Sequence, residues 1–215
     1  MKCMQKNDAG YIVAYEYLKN NIVNNKYDDD YVFVEAEIAA ELGMSRTPVR
    51  EAISMLRSEK LLMRVPKKGI VCRVMQKGEI KSVYEMAEAL EGMMAYNVAR
   101  HHTAQQLETM LACVEKMEQA FRNGDEKTWA EGDIAFHACL RDFCGNTFLQ
   151  EAMENINVFI SILRNRYTLL DAESRERSTV QHREMYEAIS AGDADYARTL
   201  VQYHFRVNRR RLSQV

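Results

Sequence analysis

The sequence has few residues that interrupt regular structure, and it has no long apolar run. Only two of its 215 residues are prolines and nine are glycines, which predicts a mostly helical protein. No stretch of about 18 apolar residues occurs, so we expect no membrane span, and "MKCMQKNDAG" lacks the apolar stretch of a signal peptide. The five cysteines show no C-x-x-C spacing, which favours reduced structural thiols and a cytoplasmic location.

The charge of the chain is small overall but uneven along its length. A formal charge of −2 excludes nucleic-acid binding by the chain as a whole. Residues 45–77 nevertheless contain nine basic and two acidic side chains, a local charge of +7, and the rest of the chain carries −9. A short basic segment in an acidic protein predicts a local nucleic-acid surface.

The basic segment contains two amphipathic helices around Gly43, in "VEAEIAAELGMSRTPVREAISMLRSE". Gly43 permits a sharp turn, Ser45 or Thr47 is expected to cap the second helix, and Pro48 fits its first turn. The predicted inward-facing residues are Ile38, Ala39, Leu42, Val49, Ala52, Ile53 and Leu56. This is the helix-turn-helix arrangement, whose second helix enters the DNA major groove by its N-terminal end.

A predicted hairpin follows, in "LLMRVPKKGIVCRVM", where the turn "PKKG" joins two β-rich runs. A hairpin in this place is a wing, and basic residues at its tip suit DNA phosphates or the minor groove. A helix around "YIVAYEYLKNNIVNN" would complete the three-helix core. The predicted DNA-contacting residues are Ser45, Arg46, Thr47, Arg50, Lys67, Lys68 and Gly69.

From about Gly78 onward the pattern is helical only, which predicts an all-α bundle. The expected helices are 79–101, 104–122, 126–144, 147–168, 172–190 and 193–212. Thr103, Asp125 and Asp193 have the character of N-caps. We therefore predict a mainly α protein with a winged helix-turn-helix domain at 1–77 and an all-helical domain at 78–215.

Four polar residues lie on the apolar faces of the predicted C-terminal helices. Asp133 and His137 are four apart and share a face with Trp129 and Phe136. His182 and His204 lie on the apolar stripes of two later helices. His101 and His102 lie on no such stripe and are not candidate metal ligands. A single inward histidine is usually a satisfied core residue. Three imidazoles and a carboxylate that converge suit a divalent transition metal such as Zn²⁺, Ni²⁺ or Mn²⁺.

The chain resembles a known family over nearly its whole length. "EIAAELGMSRTPVREAISMLRSEKLL" resembles the DNA-binding signature of GntR-type bacterial transcription regulators. "DIAFH", "QHREMYEAISAGDADYA" and "VQYHF" resemble the metal-containing effector domain, called FCD, of their FadR-like branch. The resemblance implies that Asp133, His137, His182 and His204 are metal ligands. It also implies that residues 78–215 form an effector-binding and dimerisation domain. Because each subunit offers only one recognition helix, we expect a homodimer that binds an inverted repeat of double-stranded operator DNA.

Two stretches depart from the family pattern. Members with this metal set commonly carry an arginine on the first effector-domain helix, which can hold a ligand carboxylate, but Ala87 stands at the corresponding place in "VYEMAEALEG". Arg164 and Arg166 in "ILRNRY" could supply that contact instead, although an exposed helix surface is the ordinary place for both side chains. "NKYDDDYVF" also replaces the usual Gly- and Pro-containing loop before the second DNA-domain helix.

The leading hypothesis is a ligand-responsive transcription regulator, expected to be no enzyme, that senses a small organic acid at the metal. One alternative is a metal sensor, in which the ion itself is the signal. The other is a metalloenzyme, because histidines and a carboxylate around an open position also form catalytic sites. No second general base stands out beside the four residues, and the predicted DNA-binding unit argues against catalysis. Whether the protein represses or activates transcription is left open by the sequence.

Overall fold

The computed structural model describes residues 6–167 and 171–212 of the chain. Within these ranges there are nine α-helices and one two-stranded antiparallel sheet. The elements are α1 Lys6–Val23, α2 Glu35–Glu41, α3 Arg46–Ser58, β1 Leu62–Val65, β2 Gly69–Cys72, α4 Lys77–His101, α5 Ala104–Asn123, α6 Glu126–Phe143, α7 Thr147–Tyr167, α8 Ala172–Ser190 and α9 Ala194–Leu212. The predicted mainly α class, with a hairpin after three helices, is confirmed.

The chain divides into two compact units. Unit 1 runs to Gln76 and also includes Ser161–Arg166, the last part of α7. Among the described residues, unit 2 contains Lys77–Ile160, Tyr167 and residues 171–212. Arg164 and Arg166, the candidates for effector binding, therefore belong to unit 1.

Unit 1 is built on the helix pair that the sequence predicts. The inner stripe of α3 is buried, with Val49, Ala52 and Leu56 fully enclosed. The helix α1 packs against α3, and the hairpin pairs Met63 with Val71 in its antiparallel register. The expected side-chain cap is wrong in one respect. Ser45 occupies the N-cap position of α3, but its hydroxyl accepts no capping hydrogen bond, so the first amides of α3 are not satisfied by this side chain.

The loop that departs from the family pattern is held by aromatic packing. The Tyr27 and Tyr31 rings stack with centroids 4.6 Å apart, and Phe33 meets them edge-on at 4.8 and 5.0 Å. Phe33 is buried, and burial raises the pKa of Tyr27 to about 12. Val32 bridges to Val71 of β2. Aromatic side chains thus fix this connection to the hairpin without glycine or proline.

Unit 2 is a bundle of helices with defined ends. The helix α4 packs along α9, and α5 packs against α6 and α8. The predicted caps are confirmed: Thr103 forms a capping box with Gln106, and the carboxylates of Asp125 and Asp193 accept from backbone amides of the first turns of α6 and α9. The helix α4 begins at Lys77 rather than residue 79, and the predicted end of α7 at residue 168 lies outside the described residues.

Two cysteines of unit 2 interact between α5 and α6. The Cys139 thiol donates a hydrogen bond to the Cys113 sulfur, which lowers the pKa of Cys113, whereas burial raises the pKa of Cys72 to about 11. Because the thiolate is the reactive form, Cys113 should reach its half-maximal alkylation rate at a lower pH than Cys72. Peptide mass spectrometry after iodoacetamide pulses between about pH 6 and pH 10 checks this order. A lower midpoint for Cys72 would contradict it.

Candidate metal centre and nucleic-acid interface

The helix α6 supplies the first two residues of the candidate metal centre. Asp133 and His137 lie one turn apart on its inner face, beside the buried Trp129 and Phe136. Asp133 is only 7% exposed. Neighbouring Gly132 lets α5 approach closely, because a Cβ there would lie 2.6 Å from the Met117 side chain. The carboxylate is thus held inside the bundle, where a charge requires a partner.

The other two residues come from α8 and α9. His182 is fully buried and His204 is 3% exposed. The His182 Nε2 atom lies 3.4 Å from both the Asp133 Oδ1 and the His137 Nε2, and the latter two atoms are 3.9 Å apart. One ligand atom from each of the four residues lies within 4.8 Å of the others. The structure therefore brings together all four side chains that the sequence singles out.

The two distances of 3.4 Å from the His182 Nε2 match the spacing of donor atoms around a metal ion. Donors that lie about 2.0–2.1 Å from a tetrahedral ion are about 3.3–3.4 Å from one another. The His137 Nδ1 faces a Glu91 carboxylate oxygen at 2.5 Å, and the His182 Nδ1 faces the Ser178 carbonyl oxygen at 2.7 Å. Both acceptors assign the ring proton to Nδ1 and leave a lone pair on each Nε2. Two lone pairs 3.4 Å apart are stabilised by a cation between them.

The fourth donor is held in a different way. The His204 Nδ1 lies 3.0 Å from the Gln181 Oε1, so it donates to this side-chain amide, and its Nε2 lies 3.0 Å from the Asn208 Nδ2. The Asn208 amide therefore donates to the nitrogen that would bind an ion. For His204 to become a ligand, the hydrogen bond from the Asn208 amide to its Nε2 must break, so that this nitrogen can bind the metal.

Sequence reasoning missed Glu91. This residue lies on α4, is 3% exposed and contacts His137 from 46 positions away in the chain. A signal was present, because Glu91 follows Ala87 by one turn and precedes the buried Met94 and Ala95 on the same apolar stripe. An acid at such a position calls for a buried partner in the same way that Asp133 does.

The predicted DNA-contacting residues of α3 lie on its outer side. Ser45, Arg46, Thr47 and Arg50 are all exposed. The Arg50 Nε lies 3.2 Å from a Glu35 carboxylate oxygen on α2, an exposed ion pair of low strength. The first two turns of α3 therefore present the guanidinium groups of Arg46 and Arg50 to solvent.

The hairpin tip carries the other predicted contacts. Lys67 and Lys68 are exposed, and Lys67 has a positive φ of 65°. Gly69 has a φ of 122°, and a Cβ there would lie 2.9 Å from a Val32 methyl group. Only glycine fits this position without strain. Gly69 thus shapes the turn that exposes the two lysines, and a contact to DNA would come from its backbone.

Two family models match the chain and together span most of it. The model described as FCD domain matches residues 82–207, and the model described as bacterial regulatory proteins, gntR family, matches residues 11–72. In the described residues, no helix combines the length and apolar character that crossing a membrane requires.

Curated relatives of this chain are named as transcriptional regulators. An HTH-type transcriptional regulator of Agrobacterium vitis, described as lying in the TAR-I ttuE-ttuC' intergenic region, is 36% identical over 59% of this chain and 76% of its own length. YdhC of Bacillus subtilis is 26% identical over 91% of this chain and 87% of its own. The gluconate operon repressor of the same species is 26% identical over 72% of this chain and 63% of its own length. The solved structure of Escherichia coli McbR/YncC has the same fold, with a TM-score of 0.77 and 21% identity over 95% of this chain and 97% of its own.

Proposed function

This chain belongs to the gntR family of bacterial regulatory proteins and carries an FCD domain, and we propose that this transcription regulator binds operator DNA as a homodimer and responds to a small organic acid at a buried divalent metal. The observation that carries the proposal is the convergence of Asp133, His137, His182 and His204 in unit 2. Imidazole nitrogens with one carboxylate suit Zn²⁺, Ni²⁺ or Mn²⁺.

The metal would act in two ways. Its ligands come from α6, α8 and α9, so one ion joins three helices of unit 2. An ion held by four protein donors can also accept further ligands if it takes a coordination number above four. A carboxylate of the effector would bind there, which supports an organic acid as the effector class. With Ala87 in place of an arginine, the metal has to supply the main attraction for that carboxylate.

Operator recognition is assigned to unit 1. Arg46 and Arg50, with Ser45 and Thr47, would face the major groove from the start of α3, and Lys67, Lys68 and the Gly69 backbone would contact phosphates or the minor groove. The relative named as a gluconate operon repressor supports repression as the sign of regulation.

We expect a homodimer that binds an inverted repeat. One unit 1 offers one recognition helix, and two-fold symmetry doubles the DNA contacts and demands matching half-sites. Sedimentation velocity at micromolar concentration should give a mass twice the 24.9 kDa of the chain. A monomer both in solution and on DNA would contradict the proposal.

Lys67→Ala should weaken binding to all DNA sequences by a similar factor. In the proposal this lysine contacts a phosphate, so each lost contact should make the slope of log affinity against log salt shallower by about 0.9. Lys60→Ala is the matched control, because Lys60 is also exposed, also has a positive φ, here 62°, and lies outside the hairpin. Fluorescence anisotropy over a salt series measures the slope. An unchanged slope for Lys67→Ala would contradict the proposed contact between the hairpin tip and a DNA phosphate.

The effector hypothesis is tested by measuring operator affinity with the protein in three states: chelated, metal-loaded, and metal-loaded with a panel of small organic acids. The operator is obtained by selection from a random DNA library. The proposal expects one class of acid to change the affinity of the metal-loaded protein and to have no effect on the chelated protein. If the metal alone changes the affinity and no acid adds to it, the ion is the signal and the organic-acid assignment is wrong.

A further inference from the structure

Glu91 is a buried carboxylate outside the set of four candidate ligands. It projects from α4, whereas the four donors come from α6, α8 and α9. Its Oε2 accepts a hydrogen bond from the His137 Nδ1 at 2.5 Å, and the carboxylate is 3% exposed. We propose that Glu91 is a positioning residue of the metal centre, which orients His137 toward the ion and strengthens it as a ligand. This inference rests on the proposed metal binding.

The three histidines differ in the group that holds Nδ1. His137 donates to the Glu91 carboxylate, His182 to a backbone carbonyl at 2.7 Å and His204 to a side-chain amide at 3.0 Å. Glu91 is the charged acceptor among these three, and hydrogen bonds to a charged acceptor are shorter and stronger than neutral ones. A carboxylate on the far nitrogen fixes the tautomer and makes the metal-binding nitrogen more basic. Glu91 therefore strengthens His137 as a ligand.

Glu91 also extends the centre to a fourth helix. The four candidate ligands join α6, α8 and α9, and the Glu91 to His137 hydrogen bond adds α4. The helix α4 packs along α9 and against α6 and α8 within unit 2. A change in how the ion holds His137 is thereby transmitted to α4 by one short hydrogen bond.

The test compares metal binding by the full-length wild type and two matched variants. Glu91→Gln keeps the shape of the side chain and an oxygen acceptor but removes the charge. Glu88→Gln is the control, because Glu88 lies one turn earlier on α4, is mostly buried and pairs with Arg206 and Arg209 rather than with a histidine. Zn²⁺ affinity is measured by competition with a chelator, and Co²⁺ absorption reports the coordination geometry.

The proposal expects Glu91→Gln to bind Zn²⁺ about 10–100-fold more weakly and to alter the Co²⁺ spectrum, with Glu88→Gln at the wild-type values. Wild-type affinity and spectrum in Glu91→Gln would overturn it. If Glu91→Gln does not fold, Glu91→Asp keeps the charge but withdraws it from the His137 Nδ1, and weaker binding with a shifted spectrum is again required. Absence of saturable binding by the wild type would overturn the proposed metal centre itself, which separates the two failures.

Discussion

His182→Ala and His204→Ala should each bind Zn²⁺, Ni²⁺ and Mn²⁺ at least about 100-fold more weakly than the wild type, because even the loss of a group outside the ligand shell costs 10–100-fold. Both side chains are buried and reach the cluster from helices other than α6. Removing either one leaves an ion with ligands from only two of the three helices. We therefore expect the loss of metal to be accompanied by a loss of metal-dependent stability.

The stability effect is measured as the metal-induced change in melting temperature. An ion that binds only the folded protein at 100 times its Kd stabilises it by about 2.7 kcal/mol, which corresponds to a rise of about 5–10 °C for a chain of this size. The wild type should show this rise, and neither variant should. Using the metal-induced change separates the loss of the ion from the cavity that His182→Ala leaves in the core.

His101→Ala is the control for the histidine variants. His101 is exposed at the last residue of α4, and the proposed centre does not include it. It should keep wild-type metal content and the full rise in melting temperature. Equal metal binding in His182→Ala, His204→Ala and the wild type would leave the buried Asp133 without an explanation and would contradict the site.

Arg46→Ala and Arg50→Ala should each lose about 1–3 kcal/mol of operator binding, a factor of about 5 to 150, and should relax sequence preference at the bases they read. Both residues are exposed in the first turns of α3, while the opposite face of this helix is fixed by the fully buried Val49 and Ala52. The exposed ion pair between Arg50 and Glu35 costs little to break. Arg50 is thus available to the major groove.

Arg57→Ala is the matched control for the recognition helix. Arg57 is also exposed on α3, but it lies in the last turn, about 16 Å from Arg46 along the helix axis. Its loss should reduce affinity by less than that of either N-terminal arginine and should leave the preferred sequence unchanged. Competition binding against single-base variants of the selected operator measures both quantities. If folded Arg46→Ala and Arg50→Ala bind the operator as the wild type does, α3 is not the recognition helix.

Local sequence signals predicted the elements of the fold well. The capping box at Thr103, the cap at Asp125 and the apolar stripe of α3 each depend on residues within a few positions of one another, so the linear pattern contains the whole interaction. The cap at Ser45 was wrong because a hydroxyl at an N-cap can rotate away from the first amides, and nothing in the local sequence prevents this.

The four candidate ligands were predictable for a similar reason, because each polar residue interrupts an apolar stripe on its own helix. The group that orients His137 was not predicted, because Glu91 meets it across 46 positions and through the packing of α4 against α6. The inclusion of Ser161–Arg166 in unit 1 also depends on tertiary packing, and the helical pattern of α7 continues without interruption through that point.

The most direct measurement of the central claim is anomalous diffraction from crystals of the full chain grown with Zn²⁺, recorded on both sides of the zinc absorption edge. One strong anomalous peak per chain is expected in unit 2, about 2.0–2.2 Å from the Asp133 carboxylate and the Nε2 atoms of His137 and His182, with His204 released from Asn208 to complete the set. No peak among these side chains, or a peak only at exposed residues such as His101, would contradict it.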